Sequence, residues 1–134
     1  MSKHPVRFLA IIVTAAIYGI PAHGATEEKQ AVAIMDFAAS NAPATEASIM
    51  ADFVRSAMVR SGKFRVVDKK NMESILAEQA FQQTGCTSQE CAVKLGKLLN
   101  VKKMIVGNYG MLGGIRYMSA NLVNVETGEI ERSG

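Results

Sequence analysis

Short apolar runs that alternate with stripes at helical spacing leave this chain few folds to choose from. The run AVAIMDF, Ala31 to Phe37, reads as a buried strand. A loop follows, Ala38 to Ala44. Ile49, Met50, Phe53, Val54, Ala57 and Met58 then recur with the period of a helix, with Thr45 placed to cap it and Gly62 to end it. FRVVD, Phe64 to Asp68, is a second strand, and Asp68 is placed to cap a second helix that carries Met72, Ile75, Leu76 and Gln79 on one face and stops near Gly85. A third helix runs toward Asn100, a residue suited to a left-handed cap. KMIVGNY, Lys103 to Tyr109, reads as a central strand and IRYMSANLVNV, Ile115 to Val125, as a long one. The turn Glu126-Thr127-Gly128 leads into a last short strand, EIER, Glu129 to Arg132. The order β-α-β-α-α-β-β-β predicts a single α/β domain of two or three layers with helices packed on a mixed sheet. That sheet is parallel in its first half and an antiparallel meander in its second.

The N-terminal segment follows other rules. Lys3 and Arg7 precede an apolar run from Phe8 to Ile20, then Pro21 and the small-residue pattern Ala22-His23-Gly24, which is the layout of a cleavable secretory signal. The run is shorter than the roughly 20 residues that span a bilayer. We divide the chain into a signal at 1–24, a polar leader at 25–29 and an α/β domain at 30–134. Neither cysteine lies at the cleavage point, so a periplasmic protein without a lipid-anchor cysteine is expected.

Cleavage would change what the composition permits. Of 15 basic residues Lys3 and Arg7 go, leaving 13 against 12 acidic ones, a net charge of about +1 that gives no reason to expect nucleic acid. His4 and His23 go too, and they are the only 2 histidines. A histidine general base, a serine-histidine triad and histidine metal ligands are thereby excluded from the mature chain.

The two cysteines, Cys86 and Cys91, are too far apart for a redox C-x-x-C and too few for a closed zinc site. The intervening TSQE reads as a capping box, with Thr87 as N-cap and Glu90 as the third helical residue. Cys86 then precedes the cap and Cys91 is the fourth helical residue, the two positions of a hydrophobic staple. In an oxidising compartment a disulfide would make that staple covalent; a reactive thiol pair is the functional alternative.

Other constellations have plainer readings than catalysis. Asp36 and Asp68 stand near the C-terminal ends of two predicted parallel strands, where α/β sheets place ligands, and are the candidates for an acid/base pair of a hydrolase. The simpler assignment makes Asp68 a helix cap and Asp36 a loop former. GNYGMLGG is glycine-rich after a strand, but a strand-like run and not a helix follows, so it is a hairpin connection rather than a phosphate cradle. Lys94, Lys97, Lys102 and Lys103 form a basic cluster without aromatics, read as a solvated face. Met104, Met111 and Met118 recur every seven residues, and Met104 and Met118 read as strand core rather than as copper ligands.

FRVVDKKNMESILAEQAFQQTG, CAVKLGKLLNVKKMIVGNYG and YMSANLVNVETGEI together resemble the curli production assembly/transport (CsgG-like) family, a group related to periplasmic modules of the TolB N-terminal-domain type. The likeness covers most of residues 30 to 131 and contains no catalytic motif. It implies an envelope protein that assembles, exports or regulates through protein contacts. The secretion channel of the curli type resembles this domain plus membrane-spanning hairpins and a lipid anchor. We expect neither here, so the resemblance implies a minimal member or a fragment.

The reading is a non-enzymatic periplasmic protein that contacts envelope proteins or copies of itself. No cofactor, metal, nucleic acid or small-molecule substrate is expected, and any membrane association runs through partners. Regulation of an envelope enzyme, such as activation of a peptidoglycan synthase, is the alternative, and a hydrolase built on Asp36 and Asp68 the distant one. The partner-binding candidates are Asp36, Ser40, Asn41 and Asp68 at one end of the sheet, with Glu129 and Glu131 on the closing edge strand.

Overall fold

A computed structural model describes residues 27–79 and 86–134. The signal at 1–24, the start of the leader and the stop near Gly85 lie outside them. The elements are β1 (Ala31–Ile34), β2 (Ala38–Ser40), α1 (Ala44–Ser61), β3 (Arg65–Val66), α2 (Lys69–Glu78), α3 (Gln89–Leu98), β4 (Lys103–Leu112), β5 (Ile115–Asn124) and β6 (Ile130–Ser133). The sheet runs β3-β1-β4-β5-β6, with β2 also on β4. Pairings among β3, β1, β2 and β4 are parallel, and those of β4 with β5 and β5 with β6 are antiparallel. This is the mixed sheet expected, and it has helices on both faces.

Alternation along β1 assigns the layers. Ala31, Ala33 and Met35 point to the side of α2 and α3, where they meet Met72, Leu76, Leu95, Met104, Val123 and Val125. Val32 and Ile34 point to α1, against Ala47, Ala51 and Ile105. A strand buried on both faces needs this unbroken apolar run. Close packing of α3 depends on Gly96, where an added Cβ would stand 2.3 Å from Val125 Cγ2 and 3.0 Å from Met104 Cγ.

Several local expectations shift. The loop after β1 contains β2, whose residues pair with Asn108, Tyr109 and Gly110. Ile34 pairs with Ile105 and Ala38 with Asn108, so the first chain spends four residues where β4 spends three, and Met35 to Phe37 absorb the extra one as a bulge. Pro43, not Thr45, holds the N-cap position of α1. Strand β4 runs to Leu112, and only Gly113 and Gly114, at φ 56° and 80°, form the two-residue turn to β5, a conformation that glycine adopts without strain. Asp68 does cap α2, its Oδ1 accepting from Asn71 N at 3.1 Å, and Asn100 is left-handed at φ 51°.

Cys86 and Cys91 are disulfide-bonded, with Cα atoms 5.6 Å apart. The cap is Ser88 rather than Thr87: its Oγ accepts from Cys91 N at 3.2 Å. Cys91 is therefore the third helical residue, and Cys86 lies two before the cap. The bridge packs into the α2–α3 side of the core, so it ties the entry of α3 to that layer.

Candidate functional site

Asp36 lies in the bulge after β1, which turns its side chain toward the start of both α1 and α2. Its Oδ2 accepts from Ser48 Oγ at 3.0 Å and from Lys69 Nζ at 3.2 Å, and Lys69 Nζ is 2.9 Å from Oδ1. Oδ1 takes that contact as an ion pair without hydrogen-bond alignment. Lys69 Nζ also donates to Ser48 Oγ at 3.0 Å and stands 3.8 Å from Asp52. Arg55 completes the group, donating through Nη2 to Ile34 O at 2.8 Å and pairing with Asp52. These bonds join β1, α1 and α2.

A serine beside a lysine invites a nucleophilic reading. An ammonium that donates to the serine has no lone pair with which to take its proton. Asp68 does not join the group: it is exposed and occupied with capping α2. The two aspartates border the same end of the sheet but serve separate structural bonds. Ser40 closes β2, and Asn41 follows it, exposed, at φ 52°.

The edge strand β6 carries a second carboxylate clamp. Leu122 pairs with Arg132 and Val123 with Ile130, so Glu131 is the extra residue of another bulge. Its carboxylate accepts from Lys103 Nζ and, at 2.9 Å, from Asn124 Nδ2. The bond from Lys103, followed by that from Asn124, holds the Glu131 carboxyl below the usual 4.5. Lys103 is itself buried, 8% exposed, and Lys102 pairs with Glu126. The basic cluster read as one solvated face is thus dispersed: Lys94 and Lys97 are exposed on α3, while Lys103 belongs to the interior. Glu129 is exposed, and its carbonyl accepts from Asn124 N at 2.8 Å.

The apolar surface is distributed unevenly. On the α1 face, a groove of about 510 Å³ has Ile105, Ala120 and Leu122 as its floor and Val54, Met58 and Phe64 as walls, with Lys63 and Arg132 at its rim. Met118 shares that face of β5 by alternation and is 42% exposed, not the core residue expected of it. Ile49 and Phe53 on the outer side of α1 are 53% and 62% exposed. At the far end Tyr109 donates to Glu46 at 2.9 Å, and Arg116 lies 3.5 Å from the same carboxylate. That bond first, then burial, raises the Tyr109 hydroxyl above its ordinary 10.0. Sequence periodicity marked the α1 residues as apolar but not which of them the sheet leaves uncovered.

A second cleft, of about 520 Å³, lies at the opposite end of the parallel strands, between Gln30, Arg65, Asn100 and Asn124. Its lysines and glutamates are interspersed, which suits neither a polyanion nor a polycation.

The family description "Curli production assembly/transport component CsgG" matches residues 15–111, most of the chain. The chain belongs to the CsgG family. The match ends at Met111, so β5 and β6 of this CsgG-family chain lie beyond it. Among solved structures, the LpoB C-terminal domain from Escherichia coli is similar at a TM-score of 0.62 and 16% identity, over 78% of each chain. The LpoB C-terminal domain from Salmonella enterica gives 0.61 and 17% over 78% of each. Lipoprotein GNA1162 from Neisseria meningitidis gives 0.62 and 13%, over 78% of this chain and 76% of that one. At these identities the likeness is one of fold. No curated protein matches the sequence. Among the described residues, no helix is long and apolar enough to cross a membrane, and no three His, Cys, Asp or Glu side chains are grouped to hold a metal.

Proposed function

We propose that this CsgG-family chain is a non-enzymatic accessory protein of the cell envelope that works through protein contacts in the assembly or export of a curli-type structure. The observation that carries the reading is the contrast between its polar and apolar surfaces. The candidate carboxylates are tied into ion pairs and caps, while a largely apolar groove on the α1 face stands open. Export by the signal at 1–24, and membrane association through partners, belong to the same proposal. So does a chain that needs no cofactor and engages neither nucleic acid nor a small substrate. Of the contact residues, Ser40, Asn41, Asp68, Glu129 and Glu131 are exposed; Asp36 would act by holding the surfaces beside it.

A second reading, regulation of an envelope enzyme such as a peptidoglycan synthase, is favoured by the likeness to LpoB domains over 78% of each chain. It is favoured also by the short connections of the meander, Gly113–Gly114 and Val125–Glu129, which hold no membrane-spanning hairpin. Two measurements separate the readings: surface display of an exported fibre subunit in cells lacking the chain, and the glycan-polymerising rate of the cell-wall synthases with purified chain added. Lost display with unchanged synthase rates supports the first, and accelerated synthesis supports the second. Turnover of an envelope substrate by the purified chain, abolished in Asp36→Asn, Asp68→Asn, would overturn both.

A further inference from the structure

The strip beside α1 has the width, lining and charge of a seat for one helix. Five strands at about 4.8 Å spacing make a sheet about 19 Å across its strand centres, and a helix with its side chains is about 10 to 12 Å wide. Two helices, α2 and α3, share one face, whereas α1 sits alone on the other, packed on residues of β3, β1 and β4. What remains over β5 and β6, two strands at that spacing, is about 10 Å wide, room for the inner face of one helix. Its lining is apolar and includes Met58, with Met118 adjoining along β5, side chains that adapt to the shape of a partner. Its rim holds Lys63 and Arg132 beside Asn121, Ser133 and Gly134, and among the described residues no Asp or Glu side chain lines it. Among the described residues neither cation is in an ion pair.

We propose that this groove receives an amphipathic helix of an envelope partner, its apolar stripe on Ala120 and Leu122 and its carboxylates beside Lys63 and Arg132. The proposal rests on the protein-contact reading above and names the partner's chemistry. A helix satisfies its own backbone, so apolar burial and two charge contacts suffice to seat it.

The test uses two synthetic helical peptides of about 18 residues, about 27 Å long, with the same leucine stripe and either glutamates or lysines along its flanks. Each is titrated by fluorescence anisotropy into the full chain and into Lys63→Glu, Arg132→Glu. The acidic peptide is expected to bind the natural chain about tenfold tighter than the basic one, and the order to reverse in the variant. Equal binding of both peptides, or a preference the variant does not alter, would overturn the proposal. So would concentration-dependent dimerisation abolished by Met58→Lys, which assigns the groove to a second copy of the chain. A photo-reactive phenylalanine analogue in place of Met58, or of Lys94 on the opposite face, separates this inference from the function it rests on. Adducts with an acidic helical segment from position 58 support both. Adducts from position 94 alone leave the envelope reading and remove the groove, and adducts from neither position remove both.

Discussion

The two faces of the sheet are built from the same strands, yet over β1 and β4 one is closed by two helices and a disulfide and the other by one helix. At β5 and β6, Tyr117 and Ile130 on the first face and Met118 on the second are 41%, 42% and 42% exposed. On the α2–α3 face, Met35, Met72, Leu76, Leu95, Met104 and Val123 are at most 1% exposed, and a disulfide fastens the start of α3 to them. On the α1 face the cover thins at β5, where Ala120 and Leu122 are half-buried against the α1 cluster and Met118 is exposed. The closed face sets the stability of the domain; the open one is the surface that our proposal assigns to a partner. Polar clamps at the two bulges, Asp36 with Lys69 and Glu131 with Lys103, tie the end of β1 to α2 and β6 to β4.

Matched truncations should break the comparison most visibly. Leu76→Ala opens a cavity in the closed face and should cost about 2 to 5 kcal/mol, whereas Met58→Ala at the open groove should cost less than about 1 kcal/mol. Urea unfolding of both variants checks the difference; similar losses would mean that the faces are equally packed. Next in size is the disulfide. Cys86→Ser, Cys91→Ser should still fold with a loss on the order of 1 to 3 kcal/mol, and native protein should show no titratable thiol before reduction.

The Glu131 clamp gives a pH signature. Its folded-state pKa is lowered by Lys103 and Asn124, so its contribution is present above the ordinary carboxylate value of about 4.5 and is lost as pH falls through the depressed folded value. Glu131→Gln should lower stability most near pH 7, where the clamp is intact, and least near pH 2, flattening the acid limb of the stability curve, as thermal melts across pH 2 to 7 would register. Smallest of all should be Lys63→Glu, Arg132→Glu, with a melting temperature within about 2 °C of the natural chain. A larger fall would show that these cations support the fold rather than await a partner.

Much of this architecture was legible in the residues. AVAIMDF and KMIVGNY read as buried strands, Asp68 and Asn100 marked helix ends, and the Cys86–Cys91 bond was expected, although the capping pattern read between them was one residue out. Three features had no local signal. A bulge is a one-residue mismatch between strands distant in sequence, so neither Asp36 nor Glu131 could be placed in one. Strand β2 reads as a loop because its three residues are small and Asn41 and Pro43 follow closely; it is placed by pairing with Asn108 to Gly110. Lys103 passes for a surface residue, and only its pairing with Glu131 explains its burial. Met118 was misplaced for a related reason, since apolar alternation reports which side of a strand faces inward but not where the covering helix ends.

The methionines report on the two faces independently. Met35, Met72 and Met104 line the closed face, while Met50, Met58 and Met118 belong to the open one. Peroxide oxidation, read peptide by peptide by mass spectrometry, should therefore convert Met118, Met58 and Met50 well before the other three in the purified chain, because sulfoxide formation follows exposure. The same measurement on the chain within the intact envelope should find Met58 and Met118 protected and the closed-face methionines unchanged. Equal rates on the two faces of the purified chain, or no protection of Met58 and Met118 in the envelope, would contradict the assignment of the α1 face to partner binding.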